Sequence, residues 1–295
     1  MQRNQLCLKD KQLFCASLAQ RPRALAAYAF ENIIMWSSLY DIFWMQLHGN
    51  LCIFFKDAMG CFLFLPPLGR APREHAVSEC FSVMNRINKN TTISRIENIQ
   101  EEDVGFFERL GYDVVLGGVD YICRQSDMAH LRGAAFKKKR ASADSFKKKY
   151  SCAYRPYCRE DERECIELFQ SWMDERKQKT SDTIYQRLLD DNFTAFRTAL
   201  KYYGALEFEG RVLTLDKRIR AVTIGYPLDR KSFVVAFEVC DLSLGGIAQF
   251  IFRAFCQELA YPNINIMDDS GLPNLRNVKH SYRPYKLEKN FIARL

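Results

Sequence analysis

The sequence predicts an α/β (α+β) protein of two tandem domains, each a mixed, mostly antiparallel sheet flanked by helices. Three observations point there. Aromatic and β-branched runs separated by short turns recur in both halves. Amphipathic helical stretches lie between them, and the order of helices, meander, strand, glycine-containing loop and helix occurs approximately twice, without legible sequence identity.

In the first half a helix opens the chain. YAFENIIMWSSLYDIFWMQLHGNLCIFFKDAMGCFLFLPPLG then reads as successive strands turning at His-Gly-Asn and Asp-Ala-Met-Gly, and Pro66, Pro67 and Gly69 end that segment. Residues 74–88 place Val77, Phe81 and Met84 at helical spacing, TTISRIEN reads as a strand, and EEDVGFFERLGY as a short helix stopped at Gly111. VVLGGVDYIC is the next strand.

In the second half Asp161 and Glu162 begin a helix with Cys165, Ile166, Phe169, Trp172 and Met173 on one face. Ser181 or Asp182 caps another, whose face is Leu189, Phe193, Phe196 and Leu200. RVLTL, IRAVTIGYPL and SFVVAFEVC read as three antiparallel strands with a turn at 216–218, followed by a helix over about 245–259 and a strand INIM at 264–267. The expected domains are 1–134 and 151–295, joined by a basic helix over 135–150.

A chain of 295 residues with 48% hydrophobic content can bury a sizeable core, which excludes a disordered protein. Apolar runs are broken well short of the ~20 residues a spanning helix needs, and the first thirty residues lack the order of a secretory signal, so a cytoplasmic protein without an integral membrane segment is expected. Eleven cysteines include no Cys-x-x-Cys pair, and Cys52, Cys61, Cys165, Cys240 and Cys256 lie in apolar runs, which reads as buried free thiols. Cys152 and Cys158 form a weak metal or redox candidate, and the four scattered histidines give zinc little to build on, so no metal site is expected.

The formal charge of +8 is concentrated in two places. FKKKRASADSFKKKY (136–150) carries a net +6 and residues 276–289 a net +4, leaving the remainder slightly acidic. On a helix Phe136, Ala143, Phe146 and Tyr150 share a face while most lysines point elsewhere. The stretch is either a solvated connector or a phosphate-binding edge.

Two further stretches could carry chemistry. FEVCDLSLGGIAQF (237–250) leads from a strand through Gly245 and Gly246 into a helix, whose free N–H groups suit a phosphate, although Gly-Gly also serves as a plain turn. INIMDDSGLPNLRNVKHSYRPYKLEKNF brings Asp268 and Asp269 to a strand end, followed by Arg276, Lys279, Tyr282 and Arg283. Carboxylates beside cations and a phenol make either a catalytic constellation or a structural ion-pair network.

YAFENIIMW, FFERLGYDVVLGGVDYIC, the basic connector, AVTIGYPL, FEVC with its glycine helix start, and N-x-x-x-D-x-G-L-x-x-L-R-x-x-K-x-S-Y-x-P together resemble the family named for the C-terminal domain of phosphatidylglycerol lysyltransferases, over nearly the whole chain. The resemblance implies two tandem GNAT-like acyltransferase domains, related also to the Fem-type aminoacyltransferases, and transfer of an acyl or aminoacyl group to an amine or hydroxyl. Asn265, Asp269, Gly271, Leu275, Arg276, Lys279, Ser281, Tyr282 and Pro284 match the family string, and Glu238 matches the glutamate ending its central strand. Where the family commonly has Arg-Glu and Asn-His, this chain has Ile266–Met267 and Ala141–Ser142.

On that reading Glu238 or Asp269 is the base or orients the nucleophile, Tyr282 protonates the leaving group, and Arg276 and Lys279 offset negative charge. Gly245, Gly246, Lys137, Lys138, Lys139 and Arg140 would hold the phosphates of acyl-CoA or the end of an aminoacyl-tRNA. No cofactor is expected to be permanently bound, and the partners implied are tRNA or coenzyme A as donor and an anionic lipid head group as acceptor. The alternative is a non-catalytic GNAT-like module that binds an acidic ligand or RNA. A simple coenzyme A-dependent N-acetyltransferase fits less well, because DLSLGGIA lacks the Arg/Gln-x-x-Gly-x-Gly/Ala spacing usual there.

Overall fold

The computed structural model describes residues 2–18 and 24–295. These fall into two compact units, the first of residues 1–120 and 288–295 and the second of 121–287.

In the first unit, β1 (Asn4–Gln5), α1 (Lys11–Leu18) and α2 (Phe30–Met35) precede the hairpin β2 (Asp41–Leu47) and β3 (Asn50–Lys56). His48 and Gly49 both have positive φ, and with Leu47 paired to Asn50 they make the two-residue turn whose twist suits a hairpin. β4 (Cys61–Leu63) follows a turn in which the Asp57 carboxylate accepts from the Met59 and Gly60 N–H groups at 2.8 and 3.0 Å. α3 (Glu74–Ile87), β5 (Arg95–Gln100), α4 (Val104–Arg109) and β6 (Asp113–Arg124) continue the chain. TTISRIEN is thus a short 3-10 turn before a strand. Stacked ring pairs, Phe43 on Phe54 (5.0 Å) and Phe55 on Phe64 (4.2 Å), fill the core of this unit.

The second unit continues with α5 (Gln125–His130), α6 (Lys137–Lys149), β7 (Ala153–Pro156), α7 (Glu162–Gln178), α8 (Thr183–Tyr202), β8 (Glu209–Leu215), β9 (Arg218–Pro227) and β10 (Ser232–Cys240). α9 (Ile247–Glu258), β11 (Asn263–Asn265) and α10 (Pro273–His280) complete it, and β12 (Lys286–Arg294) ends the chain. Asp182 caps α8 by accepting from the Ile184 and Tyr185 N–H groups. In the second unit the strand order is β6-β11-β10-β9-β8-β7, antiparallel except for β10 with β11. In the first it is β1-β2-β3-β4-β5-β12-β6, antiparallel at β1–β2, β2–β3, β3–β4 and β5–β12 and parallel at β4–β5.

The bounds of these units differ from the expected 1–134, 135–150 and 151–295. α6 belongs to the second unit, because its stripe of Phe136, Ala143 and Phe146 is buried there, Phe146 against Ile247 and Ile251 of α9. The final residues return to the first unit, where Phe291 pairs with Ile99 and Ala293 with Ile96. β10 carries a bulge between Val235 and Phe237, opposite Gly225 of β9. A Cβ on Gly225 would lie 2.1 Å from the Val234 carbonyl oxygen, so the irregularity that re-aims the end of β10 needs a glycine there.

Candidate active site

Two clusters in the second unit collect the polar residues singled out in the sequence. The first forms where β10, α6 and the segment after α10 meet. Glu238 lies two residues before the end of β10, level with Thr223 of β9. Lys139, on the first turn of α6, sets its Nζ 3.6 Å from the centre of the Tyr282 ring. That ring is buried against Phe252 of α9, 4.9 Å away.

Electrostatics link the three. Burial pushes the Glu238 carboxyl up to about 8, against the opposing pull of the Lys139 ammonium. Burial lowers Lys139 while Glu238 raises it, and Tyr282 is pushed well above the ordinary phenol value by burial and then by Glu238. Cys123, Cys240 and Cys256 surround them as buried thiols, each pushed up by burial. Among the described residues nothing hydrogen-bonds the Glu238 carboxyl. A partly buried acid near neutrality, beside a cation and a neutral phenol, has the properties of a general base.

The second cluster is a built carboxylate socket. β11 stops at Asn265, two residues short of the expected INIM strand, because Asn265 accepts from the Met267 N–H at 2.7 Å and Met267 takes positive φ. In the following loop Asp269 accepts from the Tyr121 hydroxyl at 2.6 Å, Arg276 Nε at 2.8 Å and the Gly271 N–H at 2.9 Å. Burial alone would raise its carboxyl, but these donors together hold it below the usual aspartate range. Tyr121 in turn is pushed up to about 12 by burial and by this hydrogen bond.

Arg276 therefore pairs with Asp269 and not with Glu238. Half of its side chain remains exposed at the lip of the loop. Lys279 is buried and donates to the Ile266 carbonyl, which makes it a clamp on the loop. Ile266 packs against the buried cluster that holds Phe252 and Tyr282, so the apolar residue in place of the family's polar one adds to a core.

The remaining residues separate. Lys137 and Lys138 are exposed, whereas Arg140 donates to the Leu131 and Gly133 carbonyls and ties α5 to α6. Gly246 has φ +91°, and a Cβ there would sit 2.3 Å from the Ser142 carbonyl oxygen, while Gly245 has open space. α9 begins at Ile247, with Asp241 shaping its approach by accepting from Ser243. Gly246 thus permits the close approach of α6 and α9, and Gly245 alone of the two faces outward. Gly246→Ala is expected to cost about 2–4 kcal/mol in denaturant unfolding, and Gly245→Ala less than about 1 kcal/mol.

Tyr121 and the inward turn of Lys139 escaped the sequence reading. Lys139 had a legible signal: it stands three residues after Phe136 and four before Ala143, on the apolar stripe of α6. Tyr121 had none, since only the fold brings it 148 positions along the chain to Asp269.

All eleven cysteines are free, Cys152 and Cys158 included, and the Cys158 thiol lies 3.2 Å from Asp161. Among the described residues no helix is long and apolar enough to cross a membrane.

The second unit runs, from β7 to β11, as a strand, two helices, an antiparallel meander, a helix and a parallel strand. A tandem GNAT protein from the clavulanic acid biosynthesis pathway shares the fold with a TM-score of 0.51 at 11% identity, over 99% of this chain and 97% of that one. More narrowly, residues 19–294 match the family described as phosphatidylglycerol lysyltransferase, C-terminal, and the chain belongs to that family. A conserved protein of unknown function from Bacteroides thetaiotaomicron has a TM-score of 0.85 at 22% identity, covering 99% of this chain and 98% of its own. L-PGS from Bacillus licheniformis has a TM-score of 0.67 at 15% identity, covering 99% and 92%. No curated protein matches the chain.

Proposed function

We propose that this chain is an acyl- or aminoacyl-transferase whose reaction centre is the Glu238–Lys139–Tyr282 cluster of the second unit. Family membership supports the reaction class, and the observation that carries the site is a Glu238 carboxyl with no hydrogen-bond partner among the described residues, beside Lys139, whose Nζ lies over the Tyr282 ring. An amine or hydroxyl acceptor attacks the carbonyl carbon of an activated ester or thioester, and its proton passes to Glu238 as the new C–N or C–O bond forms. Lys139 offsets the charge on the carbonyl oxygen. As the C–O or C–S bond to the donor breaks, the Tyr282 phenol protonates the departing atom and recovers its proton from Glu238. Asp269, saturated by three donors, positions Arg276 and Tyr121 and takes no proton.

The finer assignments rest on chemistry at the edges of the cluster. Exposed Lys137 and Lys138 and the open Gly245 support phosphates of a coenzyme A or tRNA donor at this edge, and the exposed half of Arg276 suits an anionic group on donor or acceptor, such as a lipid head group. The first unit is assigned no reaction, because the segment after β4 carries Pro66 and Pro67, which offer no N–H to a phosphate.

The test is thermal unfolding of the wild-type chain and of Arg276→Ala with coenzyme A, acetyl-coenzyme A, aminoacyl-tRNA and glycerophosphoglycerol. A ligand at about 100 times its Kd adds about 2.7 kcal/mol. One donor stabilising the wild type and not the variant is the expected result. No stabilisation by any of them would remove the transferase reading and leave a non-catalytic fold.

A further inference from the structure

The second unit also holds a cavity of about 440 Å³ that the proposed reaction does not use. Its walls are one face of α7, the first residues of β9 and the end of β10 with the start of the following loop. Glu238 faces α6, where Lys139 lies, whereas its neighbour Phe237 points to the other side of the sheet and meets Phe196 of α8 at 5.3 Å. α7 packs with α8 through Phe169 and Phe196, 5.0 Å apart, so the cavity belongs to the face away from the reaction centre.

The lining carries both signs around an aromatic wall. Arg163, Arg218 and Arg220 stand against Glu164, Glu167, Glu175 and Asp241, with Trp172 beside them. Part of this charge is already spoken for: Arg220 pairs with Asp241 at 2.9 Å, and Glu164 accepts from the Ile219 N–H at 3.0 Å. Arg163 and Glu167 make only an exposed contact of 3.5 Å. Arg218 on β9 and Glu175 on α7 have no ion-pair partner among the described residues, and the Nε of Arg220 is buried without an acceptor.

A purely anionic ligand would meet the acids of α7, and a purely cationic one would meet the arginines of β9. Only a molecule with separated ammonium and anionic groups satisfies both walls. We infer that this cavity is a second ligand site, which takes a small amino zwitterion: an ammonium toward Glu167 and Glu175, and a carboxylate or phosphate toward Arg218 and Arg220. The same chemistry is offered by a short peptide and by a phosphoethanolamine head group.

The experiment follows the Trp172 indole N–H by 1H–15N NMR in the full chain. Probes are triglycine, lysine and phosphoethanolamine, with N-acetyl-triglycine and triglycine amide as the singly charged controls. Saturable shifts from at least one zwitterion are expected, with each control at least tenfold weaker. Arg218→Ala and Glu175→Ala should each lose about tenfold in affinity, or about 1.4 kcal/mol, with the thermal midpoint unchanged because both side chains are exposed. Triglycine alone shifting the resonance identifies a peptide site, and phosphoethanolamine alone identifies a head-group site. Equal binding of the controls, unaltered affinity in the variants, or no saturation by any zwitterion overturns the inference.

Discussion

Glu238→Gln is expected to remove most of the proposed transfer activity and to reduce the pH dependence of both rate and stability. The rate effect follows from removing the base, a change worth about 10²–10⁴-fold in kcat. In the wild type kcat/KM is expected to rise as Glu238 ionises, with a midpoint at about 8. The stability effect has the opposite sense. A carboxyl with an ordinary value of 4.5, raised to about 8 on folding, binds its proton more tightly in the folded chain. Its contribution is therefore complete below the ordinary value and is lost as pH rises toward about 8. Partial exposure of the side chain moderates this loss, which is on the order of a few kcal/mol. Urea unfolding of both proteins at intervals of pH measures it: the wild-type curve descends through that window more steeply than the Gln variant's, in which Glu97 and Asp191, also raised on folding, still contribute.

Asp269→Ala is the variant expected to damage the fold most. It strands a buried tyrosine hydroxyl, the guanidinium Nε of Arg276 and the Gly271 N–H at once. Leaving the buried Tyr121 hydroxyl without its acceptor costs about 1–3 kcal/mol, while the half-exposed Arg276 can turn to water. Because the folded carboxyl is held below the ordinary 3.8, its contribution is present above that value and is lost as pH falls further. The stability gap between wild type and variant should be full at neutral pH and close in acid. Thermal unfolding at neutral and acid pH reads this, and a gap independent of pH would contradict the assigned ionisation.

Much of the architecture was legible because local chemistry and tertiary packing agree. The His48–Gly49 hairpin, the Asp182 cap and the stripe of α6 each stand where residue type and spacing put them. The domain boundaries were less so: the same apolar stripe that announces α6 does not say which body buries it, and β12 pairs with β5 across almost two hundred residues. At the site, Glu238 and Tyr282 are found together, while Asp269 and Arg276 form a separate socket. Sequence adjacency of Asp269, Arg276, Lys279 and Tyr282 suggests one constellation, but α10 turns them toward different neighbours. Glycine was the other source of ambiguity, since Gly246 serves the approach of Ser142 where phosphate binding gives the same sequence signal.

The central claim is that Glu238 is a poised base with Lys139 as its charged neighbour. Its most direct test is a 13C NMR titration of the Glu238 carboxyl in the wild type and in Lys139→Met. A midpoint at about 8 is expected in the wild type and a higher one in the variant, where the ammonium no longer favours the carboxylate. A titration at the ordinary 4.5, unmoved by the substitution, would contradict it.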